Sequence, residues 1–273
     1  MTEKETHFFS KNEEDLSVKF VRDGYLIIDA EFLEGLHEIR EIAASLTAAY
    51  LKIKCPQKIA DFLNNIHNYM PVDQLNDLRL SLITSMKSLP WLRPTYFKLA
   101  KKALEIIVGN ELVMQRRINL SIQMPNDSSS LLPTHADVWS GDSPFEVVLW
   151  VPLVDCFKTK SMYLMPPTQD QKIQSELSKM KNLSAEDLFD TIKDDISFMD
   201  IPFGKVLLFS QTLMHGNRIN MEKDTRWSMN CRFKSAFSPF ADKKLGEFFL
   251  PITLRAATRV AINYKLPQGF NED

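Results

Sequence analysis

Two stretches of this chain alternate polar and apolar residues without a slip. In residues 117–124, Ile118, Leu120, Ile122 and Met124 fall on one face, with Arg117, Asn119, Ser121 and Gln123 on the other. In residues 226–234, Arg226, Ser228, Asn230, Arg232 and Lys234 oppose Trp227, Met229, Cys231 and Phe233. A period of two belongs to a strand with one face in a core, not to a helix. The polar face then meets solvent, as in many half-buried sheets, or lines the inside of a barrel. Shorter runs extend the pattern: 25–28 after the turn at Asp23-Gly24, a strand from about Leu112, the near-continuous apolar run 145–154, 161–165 before Pro166-Pro167, and 205–209 after Pro202-Phe203-Gly204. Short strands separated by turns predict an antiparallel sandwich or barrel.

Upstream, the spacing is helical. Leu33, Leu36, Ile39, Ile42, Ala43 and Leu46 predict a helix over about 31–51, and Ile59, Phe62, Leu63 and Ile66 one over about 56–68. Two more follow near 72–88 and 94–108, the last ended by Gly109. One domain over 1–273 is expected: a mainly helical part (1–110), a strand core (111–240) with a helical insertion at about 170–195, and a C-terminal extension (241–273). The acidic insertion (Glu186, Asp187, Asp190, Asp194, Asp195) reads as a solvated face, with a lid as the alternative.

With 273 residues, 44% hydrophobic and 25% charged, the chain can bury a substantial core. Its net charge of -2 is no footprint of a nucleic-acid binder. Cys55, Cys156 and Cys231 are odd in number and widely spaced, which predicts free thiols rather than disulfides or structural zinc. The charged first fifteen residues lack the apolar stretch of a signal peptide, and no apolar run nears the roughly 18 residues of a membrane helix. A cytoplasmic protein is expected.

Five histidines are present. His7, in an N-terminus expected to be mobile, and His37 and His67, on helices among surface-type neighbours, read as structural. His135-Ala136-Asp137 differs: on an extended segment, residues two apart point the same way, so imidazole and carboxylate can converge on one ion. Alone the tripeptide is weak. His215, after the strand at 205–209, changes that reading, because two imidazoles and one carboxylate form the facial triad of non-haem Fe(II) oxygenases and leave positions open for a chelating co-substrate and O₂. Arg226, eleven residues after His215, offers the planar fork that suits a carboxylate, with Ser228 on the same face.

The order His135-x-Asp137, His215-Gly216, Asn220, then Arg226 with Ser228 resembles the 2-oxoglutarate and Fe(II)-dependent oxygenases, in their phytanoyl-CoA dioxygenase-like branch. Residues 134–144, 149–155 and 160–163 further resemble the sporadic carbohydrate cluster oxygenases. There are departures. Pro167 stands where Gly is usual with no His after it, and Asn217 stands where Ser is frequent. The resemblance implies a double-stranded β-helix (a jelly-roll, cupin-like core), mainly β, with the N-terminal helices packed on one sheet. It implies Fe(II) held by His135, Asp137 and His215, and 2-oxoglutarate held by Arg226 with Ser228, Asn217, Gln123 and Asn220 as further contacts. The reaction implied is hydroxylation by O₂ of a small polar substrate, a sugar or activated sugar. The polar strand faces would line the barrel. Trp139 becomes a candidate to stack on a sugar, and Arg117, Asn119 and Arg232 candidates to contact it; for the two arginines a structural ion pair is the alternative. Trp150 reads as core. The rivals are a cupin-type isomerase or other jelly-roll metal protein, which has no need of Arg226, and a non-catalytic sugar-binding module. Oligomeric state is not legible.

Overall fold

A computed structural model describes residues 8–179 and 184–269; His7 lies outside them. The chain opens with α1 (Lys11–Asp23). Its start is fixed by a reciprocal cap: Glu13 N–H donates to Ser10 Oγ, and Ser10 N–H donates to the Glu13 carboxylate. Gly24, at φ 72, closes its end. Then come β1 (Tyr25–Asp29), α2 (Leu33–Tyr50), α3 (Ile59–Asn64), α4 (Leu75–Lys87), α5 (Leu92–Lys98) and α6 (Lys101–Ile107). The second part holds β2 (Leu112–Gln115), β3 (Asn119–Gln123), β4 (Val147–Pro152), β5 (Met162–Leu164), α7 (Pro167–Glu176), α8 (Ala185–Ile192), β6 (Ser197–Phe198), β7 (Lys205–Ser210), β8 (His215–Asn217), β9 (Arg226–Ser235), β10 (Phe249–Pro251) and α9 (Ala256–Ile262).

Among the described residues the paired strands are antiparallel and fall into two sheets. The larger runs β1-β7-β4-β9-β2-β10, with β3 beside the first half of β9. The smaller runs β6-β5-β8. The long strand β9 organises the larger sheet. Trp227, Met229, Cys231 and Phe233 are buried toward the helices, where they join one core with Leu36, Ile39, Leu63, Leu78, Tyr96 and Leu104. Tyr96 Oη donates to Leu149 O (2.8 Å), and Trp227 Nε1 to Leu63 O (2.8 Å), so the polar ends of both rings are satisfied inside this layer. The opposite face of β9, bearing Arg226, Ser228, Asn230 and Arg232, lines a cavity between the sheets. A second, smaller core of Tyr163, Met165, Leu188, Ile192 and Met214 joins α8 to the small sheet.

The expected balance of elements needs correcting. Helices cover nearly twice as many described residues as strands, so "mainly β" understates them. The helix expected at 94–108 is two, because Ala100 leaves helical geometry (φ -147, ψ 31). The carboxylate of Glu31 then caps the second piece, accepting from Lys102 N (2.8 Å) and Ala103 N (3.0 Å). Lys11–Asp23 form a helix that the sequence pattern did not announce, and the stretch around His7, expected to be mobile, lies outside the described residues. Glu186 of the insertion makes a two-pronged ion pair with Arg218 at 2.6–2.8 Å, binding α8 to the chain after β8. The three cysteines are free. No helix among the described residues is long and apolar enough to cross a membrane.

Candidate metal centre and its cavity

His135 and His215 are brought together by the backbone. His135 N–H donates to His215 O (3.0 Å), and His215 N–H to His135 O (2.8 Å), so the two residues pair directly across an antiparallel bridge that extends β8. Their rings lie 4.3 Å apart, centre to centre. Gly216 makes the approach possible: a Cβ there would stand 2.8 Å from Leu132 O and against the Tyr163 hydroxyl. Asp137, two residues past His135, opens a short 3-10 turn and turns its carboxylate to the same point. One ligand atom from each of the three residues lies within 4.8 Å of the others.

Each imidazole is oriented by the carbonyl two residues before it. His135 Nδ1 is 2.8 Å from Pro133 O, and His215 Nδ1 is 2.9 Å from Leu213 O. A carbonyl only accepts, so each Nδ1 carries hydrogen and each neutral ring presents the bare lone pair of Nε2. Complete burial pushes His215 down to about 4, so it is neutral near pH 7. For Asp137, burial acts upward, but the hydrogen bond that His135 gives it when its ring is protonated and the charge of Arg232 outweigh this and hold the carboxyl at about 2. His135 Nε2 and Asp137 Oδ1 stand 3.4 Å apart. A bare nitrogen and an ionised oxygen at that distance repel unless a cation or proton lies between them.

The larger sheet, the small sheet and the 129–142 segment enclose a cavity of about 600 Å³ that reaches this point. Arg226 lies in it, buried, with Ser121 Oγ 2.9 Å from Nη2 as its hydrogen-bond partner. Among the described residues no carboxylate pairs with it, and its Nε and the buried Ser228 Oγ have no partner; burial lowers its pKa to about 10. Unpaired buried polar atoms are costly, and a buried guanidinium without an acid more so.

The other expected contacts divide. Asn119 faces the cavity and donates to Asn230 Oδ1 (2.9 Å). Asn217 also faces it, but its amide is engaged with Leu132 N, Ser130 O and Gln123 Oε1. Gln123 and Asn220 do not line the cavity. Gln123 Nε2 donates to Arg218 O (2.8 Å), and Asn220 clamps the turn before β9 through Asp224 O (2.8 Å) and Glu222 N (3.1 Å). Asn220's amide is spent on backbone, and Gln123's on backbone and on the Asn217 side chain. Arg117 stands with Arg116 and Lys87 at a separate crevice on the helical side. Arg232 is an ion-pair residue: Nη2 is 3.0 Å from Asp137 Oδ1, and Nε is 3.5 Å from Asp142 and 2.9 Å from Gln211 Oε1. Trp139 is 44% exposed, outside the cavity lining, and donates to Gln174 of α7 (3.3 Å). Trp150, read as core, is buried and also forms part of the cavity wall, since alternate residues of β4 face inward. His67 meets Thr225 Oγ1 (2.9 Å) and His37 meets Arg40 (3.2 Å), both away from the triad.

Sequence reasoning missed Arg79 of α4, together with Asp142, Lys243 and Phe248, all of which line the cavity. No local pattern marks them; Arg79 reaches the cavity from a helix, and Asp142, Lys243 and Phe248 from loops that fold over the strands.

No protein-family model matches the sequence, and no curated protein matches it. Solved structures do match in fold. The apo form of ThoJ, a non-heme monooxygenase, aligns at 14% identity over 88% of this chain and 84% of that one, with a TM-score of 0.57. EctD from S. alaskensis, with 2-oxoglutarate and 5-hydroxyectoine, aligns at 16% identity over 88% and 81%, TM-score 0.51. HygX from Streptomyces hygroscopicus, with nickel and 2-oxoglutarate bound, aligns at 14% identity over 87% and 90%, TM-score 0.51. The chain therefore shares the fold of these proteins.

Proposed function

We propose that this chain is an Fe(II)- and 2-oxoglutarate-dependent oxygenase that hydroxylates a small polar molecule, a sugar or sugar derivative, in carbohydrate biosynthesis. In finer terms it is a double-stranded β-helix enzyme of the phytanoyl-CoA dioxygenase-like branch, working in the cytoplasm. The observation that carries the reading is Arg226: a buried guanidinium without an acid, beside an unsatisfied Ser228 hydroxyl, in the cavity that holds the triad. That arrangement lacks one carboxylate, and the distal carboxylate of 2-oxoglutarate supplies it. The structural neighbours EctD and HygX, which carry 2-oxoglutarate, support the same reading.

The donor set fits iron: two neutral imidazoles and one ionised carboxylate on one side, the opposite side facing the cavity. When bound, iron supplies activation of O₂ coupled to oxidation of 2-oxoglutarate to succinate and CO₂. The protein's own work is positional. Pro133 and Leu213 carbonyls hold the two rings in the binding tautomer. Arg232 fixes the Asp137 carboxylate and offsets its charge. Arg226 and Ser228 orient the co-substrate from the carboxylate end. Asn119 and Asn230 offer amides to substrate hydroxyls, while Trp150, Phe209 and Met162 keep the walls apolar.

Two measurements test this. Succinate should form only with Fe(II), 2-oxoglutarate and O₂ together, including slow turnover without substrate. Arg226→Ala should weaken 2-oxoglutarate binding by about 100-fold, the scale of a buried charge-assisted pair, while Ni(II) affinity stays within about threefold. Unchanged co-substrate affinity would remove Arg226 from the role, and succinate absent under all conditions would remove the oxygenase reading.

A further inference from the structure

The cavity holds more positive charge than the triad and co-substrate require. Its two carboxylates, Asp137 and Asp142, both face Arg232, at 3.0 and 3.5 Å. Arg226 is matched by the co-substrate. That leaves Arg79 and Lys243, which line the cavity from opposite parts of the chain. Arg79 projects from α4, where its side-chain partner is the neutral Asn76 (2.6 Å). Lys243 stands 5.5 Å from the Phe248 ring and within no ion pair among the described residues; the acid that feels its charge is Asp142, already turned to Arg232. Elsewhere, cations that reach inward are engaged: Arg218 with Glu186, Lys160 with Asn64, and Lys234 with the carbonyls of Ser235 and Ser238.

Lys243 is held there by design of the loop. Asp242 N–H donates to Gly141 O (3.0 Å), and Ser143 Oγ donates to Pro239 O (2.7 Å). These bonds tie the chain after β9 to the segment after Asp137. Gly141, at φ 82, leaves no room for a Cβ beneath Asp242, where the nearest side-chain atoms would lie at 2.3–2.9 Å. Two cations in one cavity wall, neither in an ion pair among the described residues, favour an anion there.

We propose that the substrate carries an anionic group, a phosphate or a carboxylate, received by Arg79 and Lys243 while its neutral part enters toward the metal triad. This deepens the oxygenase reading and rests on it only in taking the cavity as the substrate site. It also reassigns anion recognition from Arg117 and Arg232, one outside the cavity and the other neutralised by Asp137 and Asp142.

The test is calorimetric titration of the full chain, loaded with Ni(II) and 2-oxoglutarate, with glucose 1-phosphate, glucuronate and glucose. At least one charged probe should bind about tenfold or more tightly than glucose, and which one does identifies the group. Arg79→Gln and Lys243→Gln should each weaken that binding by about tenfold, with Arg79→Lys recovering part of it, and 2-oxoglutarate affinity unchanged in all three. Glucose binding as tightly as both charged probes, no binding of either charged probe, or undiminished binding by both glutamine variants would overturn the proposal. Failure of the oxygenase reading registers separately, as loss of 2-oxoglutarate uptake by the unaltered chain.

Discussion

Glu146 shows how far the triad's support extends. It is 1% exposed and accepts from Ser143 N–H (2.9 Å) and from Gln211 Nε2, while Gln211 Oε1 accepts from Arg232, the residue on Asp137. Burial is the largest influence on its carboxyl, and with the nearby charge of Asp142 it raises the pKa from 4.5 to about 7 against the Ser143 hydrogen bond, Arg232 and Lys234. Between these values the folded protein holds a proton that the unfolded chain has released. Stability therefore falls as pH rises through that window; the penalty is absent below about 4.5 and complete above about 7. Its upper size is about 3 kcal/mol. Glu146→Gln removes the titration. Denaturant unfolding at about pH 5 and about pH 8 should show the wild type losing on the order of 2 kcal/mol relative to the variant. A difference that stays constant between the two pH values would show that Glu146 does not titrate in the folded protein.

At the scale of elements, the two helix starts set what sequence can tell against what it cannot. Ser10 and Glu13 form a capping box with the spacing S-x-x-E, visible in the sequence yet obscured by the charged, low-hydrophobicity run around it. The cap of α6 comes from Glu31, some seventy residues away, and no local pattern announces it. Glu31→Ala should cost about 1–2 kcal/mol by thermal unfolding and should raise amide exchange at Lys102 and Ala103; Ser10→Ala should cost about 1 kcal/mol or less. Equal and negligible losses would mean that α6 does not depend on its distant cap. The same contrast runs through the site. The alternation in β9 was legible because each strand residue has a fixed side, so Arg226, Ser228, Asn230 and Arg232 could be placed together on one face; periodicity left open whether that face met solvent or a cavity, and the family resemblance pointed inward. The triad was legible because i, i+2 on an extended chain is itself a geometry. Which interior side chain points at a ligand and which at its neighbours was not. Gln123 shares the face of Asn119 and Ser121 but lies at the strand end, where Arg218 O takes its amide. Arg232 shares the face of Arg226, yet Asp137 and Asp142 come to it from a loop. Strand periodicity fixes sides; loop closure fixes partners.

For the molecule as a whole, the candidate metal site is also a clasp. Residues 124–146 run along the cavity wall with little regular structure, held by the His135–His215 bridge, by the Asn217 amide on Ser130 and Leu132, and by the ties around Gly141. A divalent cation on His135, Asp137 and His215 would fasten this segment to β8 through ligands that exist as a set only in the folded state. Ligand binding to the folded state alone stabilises by RT ln(1 + [L]/Kd), about 2.7 kcal/mol at 100 times Kd and about 1.4 kcal/mol more for each further decade. For a chain of this size, Ni(II) at that excess should raise Tm by about 5–10 °C in a calorimetric scan. Asp137→Ala and His215→Ala should abolish the rise, and Ca²⁺, which prefers an all-oxygen shell, should not produce it. The rise should also shrink in acid. Burial acts to lower His135, but the Asp137 carboxylate and the Pro133 carbonyl outweigh it and raise its pKa, so this imidazole takes up a competing proton before the buried His215 does. A Tm indifferent to Ni(II) at every pH would mean that the three ligand atoms converge for structural reasons, leaving Arg226 as a buried charge with no co-substrate to meet.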